Sequence, residues 1–163
     1  MLFDMSIHDF DMVRYLSGED VTSVYAKGAN LVDPKIGEAG DIDTAVVTLS
    51  FKGGAIGVIL NCREAAYGYD QRIEVLGSKG GIQAQNVCPN TTVLSTAESV
   101  QTEKPLHFFL ERYAAAYRIE LGEFFQSVID KKEPGVGLSD VKKAILIAQA
   151  ATESLRQGRP VNI

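Results

Sequence analysis

Residues 44–63 read TAVVTLSFKGGAIGVILNCR. In the first eight of them Ala45, Val47, Leu49 and Phe51 alternate with Thr44, Val46, Thr48 and Ser50, the period of two that sends successive side chains to opposite faces of a strand. Lys52, Gly53 and Gly54 then supply turn residues before an apolar run over 55–63, so the stretch predicts a β-hairpin. One face of it is apolar and belongs against helices. The other shows Thr and Val, with a similar mixture of small and apolar groups from the partner strand. That face is too uncharged for a solvated sheet and too polar for a second helix layer. Burial against the sheet of another subunit resolves the conflict and predicts a homo-oligomer formed through this face.

Outward from the hairpin, strands are expected at 21–26, and at 71–76 and 82–85 around a turn over 77–81. Residues 30–43, with Pro34, Gly37 and Gly40, read as a loop, and 88–103 carries one further strand around Val93. Helical spacing marks 4–16, where Met5, Met12 and Leu16 share one stripe and Asp4, His8 and Asp11 another, with Gly18 at the end. It returns at 108–131 and at 139–157. The last helix has Ser139 as N-cap, Val141, Ile145, Ala148 and Leu155 on its inner face, and Gly158 beyond it. A helix, a run of strands and two longer helices make an α+β fold: an open, mostly antiparallel sheet with helices on one face and the other face used for oligomerisation. No repeat, low-complexity tract or Gly/Pro/Ser linker divides residues 1–163.

The chain of 163 residues is long enough to bury roughly 70% of its unfolded surface in one core. Its 21 acidic and 16 basic side chains are scattered and leave a net charge of -5, with no Lys/Arg stripe to neutralise a phosphate backbone, which speaks against nucleic acid as a partner. No apolar run approaches the ~20 residues that cross a bilayer and no signal segment opens the chain, so a cytoplasmic protein without a membrane partner is expected. Cys62 and Cys88 lack metal-ligand spacing and read as reduced and structural, Cys62 as a small thiol buried in an apolar run.

Two places could carry chemistry. Asp4 and His8, four apart on a helix, project to the same side. Histidine, with an ordinary pKa of about 6.5, accepts a proton near neutrality while a neighbouring carboxylate orients the ring or holds a hydroxyl. The competing interpretation is a helix N-terminus at which Asp4 answers the macrodipole and His8 is merely half exposed. The tract REAAYGYDQR over 63–72 gathers Arg63, Tyr67, Tyr69, Asp70, Gln71 and Arg72 around Gly68. It suits either the reading of a polyol through directional hydrogen bonds or a hydrophilic hairpin whose Tyr rings cover a sheet edge. No GxGxxG, Walker loop, GxSxG or HExxH is present, so no nucleotide or metal site of the chain's own is expected.

The stretches DMSIHDFDMVRYL, GEAGDIDTAVVTLSF, YGYDQRIEVLGSKGGIQA and KPLHFFLERYAAAYRIELGEFF together resemble the C-terminal half of the Gfo/Idh/MocA oxidoreductases, in particular the inositol dehydrogenases. The resemblance implies that Asp4 and His8 fall on the family's catalytic Asp and His, with His8 accepting the proton of the hydroxyl being oxidised. It implies that Tyr67 faces the substrate and that Arg63, Tyr69 and Tyr113 lie near the same pocket. It further implies a parent enzyme that oxidises a ring hydroxyl of inositol or a related polyol to a ketone with NAD. The dinucleotide would be held mainly by an N-terminal Rossmann domain, whose GxGxxG loop and EKP motif have no counterpart here. Glu103-Lys104-Pro105 lies far downstream of the catalytic helix and is a coincidence of three letters. Residues 1–163 are therefore expected to be a substrate-binding and oligomerisation domain, inert by itself. The alternative is a non-enzymatic oligomerisation or ligand-binding module derived from the family.

Overall fold

Residues 44–63 form the expected hairpin, with β2 at Thr44–Phe51 and β3 at Ile56–Cys62. The computed structural model describes residues 1–163, which fall into two units, 1–64 with 136–163, and 65–135. In the first unit β1 (Val21–Ala29) lies antiparallel to β2, and the two-residue β8 (Val161–Asn162) lies antiparallel to β1, giving the sheet order β3-β2-β1-β8. The register sets Val47 beside Ile59 and Ala26, and Leu49 beside Val24. The period of two thereby collects Val24, Ala26, Val47, Leu49 and Ile59 on one buried face.

Two helices cover that face. α5 (Leu138–Gln157) lays Ala144, Ile147, Ala148, Ala150 and Ala151 against the sheet, and small side chains at these positions let its backbone approach closely. Its inner face thus shares only Ala148 as a fully buried member with the expected set, since Val141 is 49% exposed. The N-cap is Gly137, whose N–H is accepted by the Asp140 carboxylate at 3.1 Å, instead of Ser139. Ser154, buried on this helix, accepts the Ala26 N–H at 3.0 Å and donates to the Arg159 carbonyl at 2.6 Å. That hydroxyl ties the end of the chain to β1.

α1 runs over Ser6–Ser17 and ends at Gly18 in the left-handed conformation, as expected. Its buried side differs from the expected stripe. Phe10 is fully buried with Ser6, and Ile7 and Val13 pack against the core, whereas Met12 and Leu16 are 39% and 40% exposed. Ser6 breaks the apolar reading of the true inner face; it is accommodated there because its hydroxyl donates to Asn61 Oδ1 on β3 at 2.6 Å.

The loop over 30–43 contains a short helix, α2 (Pro34–Glu38), and is fastened by the buried Asp43. That carboxylate accepts the N–H groups of Leu31, Val32 and Asp33 and the Thr44 hydroxyl. Cys62 corrects another expectation. It stands opposite Thr44 on the uncovered face of the sheet and is exposed, because the apolar run of β3 divides its side chains between both faces.

The second unit holds two separate antiparallel hairpins, β4 (Ile73–Gly77) with β5 (Gly80–Ala84) and β6 (Val93–Ser95) with β7 (Val100–Thr102). The turn of the first is tighter than expected, and the region around Val93 yields two strands instead of one. The expected helix over 108–131 is interrupted at Tyr113 into α3 (Phe109–Arg112) and α4 (Ala114–Asp130). All pairing in the protein is antiparallel.

Candidate functional site

His8 and Asp4 stand at the start of α1. The helix is oriented by Phe10 in the core and by the Asn61 amide. That amide accepts from Ser6 at 2.6 Å and donates to Asp9 at 2.8 Å. With residues 6, 9 and 10 turned inward, residue 8 points to the opposite side, and His8 is exposed. Its imidazole makes no hydrogen bond within the chain, which leaves both ring nitrogens open to a ligand.

Asp4 sits in the turn before the helix, not on it. Its carboxylate is paired with Arg63 at 3.0 Å, and Arg63 also reaches Asp41 at 3.5 Å. No hydrogen bond joins Asp4 to His8, so the carboxylate is positioned by an arginine and not by the ring. Lys35, Ile36, Ala39, Asp41 and Arg63 line an open cleft of about 300 Å³ beside this pair.

In the second unit, Gly68 has a φ of +135°, and a Cβ there would meet the Pro105 carbonyl oxygen at 2.7 Å. Glycine is required at this point. The close approach lets the Tyr69 N–H bond the Leu106 carbonyl at 2.8 Å, while the Leu106 N–H bonds Val87 at 2.9 Å. The YGYD and KPLHFF stretches are thereby stitched together. Tyr69 and Tyr113 meet edge to face, with ring centroids 5.8 Å apart.

The Tyr67 hydroxyl donates to Asp70. Asp70 also accepts Arg72 Nε at 2.7 Å and Asn86 Nδ2 at 2.8 Å. The Arg72 guanidinium, with these other donors, holds the Asp70 carboxyl down at about 2. Donation to Asp70 raises the Tyr67 phenol above its ordinary range.

The family described as "Oxidoreductase family, C-terminal alpha/beta domain" matches residues 1–163. The chain belongs to this Gfo/Idh/MocA family. Among relatives of the domain, myo-inositol 2-dehydrogenase of Thermotoga maritima is 52% identical over 163 residues, which is 100% of this chain and 49% of that protein. A crystal structure of a probable dehydrogenase from Thermotoga maritima superposes with a TM-score of 0.96 at 52% identity, covering 99% of this chain and 48% of the other. A scyllo-inositol dehydrogenase from Lactobacillus casei, with bound cofactor NAD(H) and scyllo-inositol, superposes with a TM-score of 0.90 at 26% identity, covering 99% and 48%. The Gfo/Idh/MocA domain described here thus spans about half the length of the curated relatives it matches.

Within this Gfo/Idh/MocA domain, the structure brings Arg63 to Asp4 and Tyr69 to Tyr113. Sequence reasoning missed Asn61, which orients α1, and Asn86, which stands with Asp70 behind Tyr67. Asp70 lay inside the polar tract already singled out. Asn86 gave no signal, because its role depends on the turn that returns β5 beside residue 71, where it accepts the Gln71 N–H at 2.8 Å.

Proposed function

We propose that this chain is the substrate-binding half of an NAD-dependent inositol 2-dehydrogenase, which oxidises a ring hydroxyl of inositol or a related polyol to the ketone. The observation that carries the reading is the exposed, unbonded imidazole of His8 at the start of α1, in a chain 52% identical to a myo-inositol 2-dehydrogenase over its full length. His8 accepts the hydroxyl proton as general base. Asp4, held by Arg63, takes a hydrogen bond from the substrate. By the family resemblance, Tyr67 contacts a further hydroxyl, and Arg63, Tyr69 and Tyr113 are assigned to substrate binding as well.

The residues present do not fit a dinucleotide. The glycines of residues 53 and 54 turn one antiparallel strand into the next, those of 77 and 80 do the same for β4 and β5, and none links a strand to a helix N-terminus that could cradle a pyrophosphate. NAD, bound mainly by the other half of the parent, supplies the hydride acceptor; proton transfer and substrate orientation fall to this chain.

The test is the parent enzyme with its nucleotide-binding half. His8→Ala is expected to slow inositol oxidation by roughly 10²- to 10⁴-fold with little loss of NAD affinity, and the 163-residue chain alone is expected to reduce no NAD. A near-normal rate for His8→Ala at neutral pH removes the assignment of the base. Efficient NAD reduction by the isolated chain removes the division of labour.

A further inference from the structure

Tyr67 commits its only O–H to Asp70, and Asp70 is itself immobilised. Arg72 grips it with both arms, Nε on Oδ1 at 2.7 Å and the terminal NH2 on Oδ2 at 2.9 Å, and Asn86 adds a third bond to Oδ1 at 2.8 Å. Asn86 is anchored in turn by the Gln71 N–H at 2.8 Å. The Asp70 side chain is only 18% exposed, whereas Tyr67 is 47% exposed. A fixed carboxylate thus holds a phenol that reaches solvent. With its proton committed inward, the phenol oxygen retains only lone pairs for a ligand and acts as an acceptor.

We propose that Asp70 is a positioning residue: it fixes the ring of Tyr67 and sets the phenol oxygen as an acceptor, so that Tyr67 reads the hydrogen of a polyol hydroxyl. The inference rests on the reading of Tyr67 as a substrate contact given above. It names what that contact recognises. A hydroxyl at the recognised position can donate to Tyr67, whereas a carbonyl or a deoxy position cannot, so the Tyr67–Asp70 pair selects for an intact hydroxyl at the position it contacts.

The experiment is a double-mutant cycle in the parent enzyme, with KM and kcat measured for inositol. Tyr67→Phe and Asp70→Ala are each expected to raise KM about ten-fold, the order of one hydrogen bond, with kcat within about two-fold of wild type. In the double variant KM should match Tyr67→Phe alone, because Asp70 acts only through the phenol. Asp70→Asn, which keeps an acceptor oxygen without the charge, should restore part of the loss, and it stands in for Asp70→Ala if that variant does not fold. A second readout uses the 163-residue chain with labelled tyrosine: Asp70→Asn should lower the pH at which the Tyr67 ring ionises. Effects on KM that multiply in the double variant, or a Tyr67 titration unmoved by Asp70→Asn, overturn the inference while leaving the function standing. A wild-type parent that oxidises no inositol overturns both.

Discussion

Asp43 shows what a single residue contributes. Its burial works against ionisation, but three backbone N–H groups and the Thr44 hydroxyl outweigh that and bring its pKa from 3.8 to about 2. A depressed carboxylate pKa stabilises the fold fully above the unfolded value of 3.8 and loses that contribution as pH falls through about 2. Asp43→Asn should therefore lower Tm by several degrees near neutrality, because the amide presents its own N–H groups to backbone donors. The gap to wild type should shrink between about pH 4 and pH 2, where the wild-type carboxylate becomes protonated. Thermal melts of both proteins across that range check this, and a constant gap would show that charge plays no part. Nothing in the sequence marked Asp43, since its donors lie 10 to 12 positions upstream and only the folded loop brings them to it. His8, by contrast, was singled out in the sequence as an ionisable group at helical spacing from Asp4 and through the family motif; the structure leaves it exposed at the start of α1 and gives Asp4 to Arg63 instead of to the ring.

Among the elements, those with an unbroken period were read best. β2 spans the expected residues because every second side chain from Ala45 to Phe51 is apolar and buried. α1 was placed and His8 on its ionisable side faces outward, but the apolar stripe of Met12 and Leu16 is not the buried side, because the hydrogen-bonded Ser6 occupies an inner position with Phe10. β8 escaped notice because two residues carry no period. They are a strand only by pairing with Ser23 and Val24. The division of the expected last-but-one helix into α3 and α4 follows from Tyr113, whose φ of -108° and ψ of 13° leave the helical range. α4 ends on Lys131 at φ +54°, the only non-glycine residue of the protein with positive φ. A side chain in that conformation costs about 1–2 kcal/mol, partly offset in a glycine by the greater freedom of its unfolded chain. Lys131→Gly should accordingly stabilise the end of α4 by about 0.5–1 kcal/mol. Slower amide exchange at residues 127–131 would report it, and unchanged or faster exchange there would show that the left-handed turn carries no strain.

For the whole molecule, we propose that the uncovered face of the four-stranded sheet carries a homo-oligomeric contact. The register places Leu60 beside Val46, Val58 beside Thr48 and Ile56 beside Ser50. Ile56, Val58 and Leu60 are 83%, 62% and 73% exposed and Val46 is 40% exposed. β1 adds Tyr25 and Lys27 to the same face, with the Lys27 ammonium 5.8 Å from the Tyr25 ring centroid. An apolar stripe on β3 flanked by small hydroxyls on β2 is a surface that a second copy can cover, with Lys27 on β1 the one charge at its margin. The expected outcome is a homodimer or larger assembly through this face. Both edges of the sheet, β3 and β8, are also open, so edge-to-edge pairing is the rival geometry. Val46→Asp distinguishes them. Val46 lies on β2, an inner strand, opposite Lys27 of β1, so a carboxylate there is taken out of water if faces pack, at a desolvation cost that pairing with one ammonium does not repay, and stays in solvent if edges pair. Face packing predicts that sedimentation shifts Val46→Asp to monomer at micromolar concentration. The fold should remain intact, because Val47, Leu49 and Phe10 occupy the opposite, helix-covered side. An assembly unaffected by Val46→Asp but broken by a proline on β3 would point to the edge instead, and a wild-type monomer would exclude both.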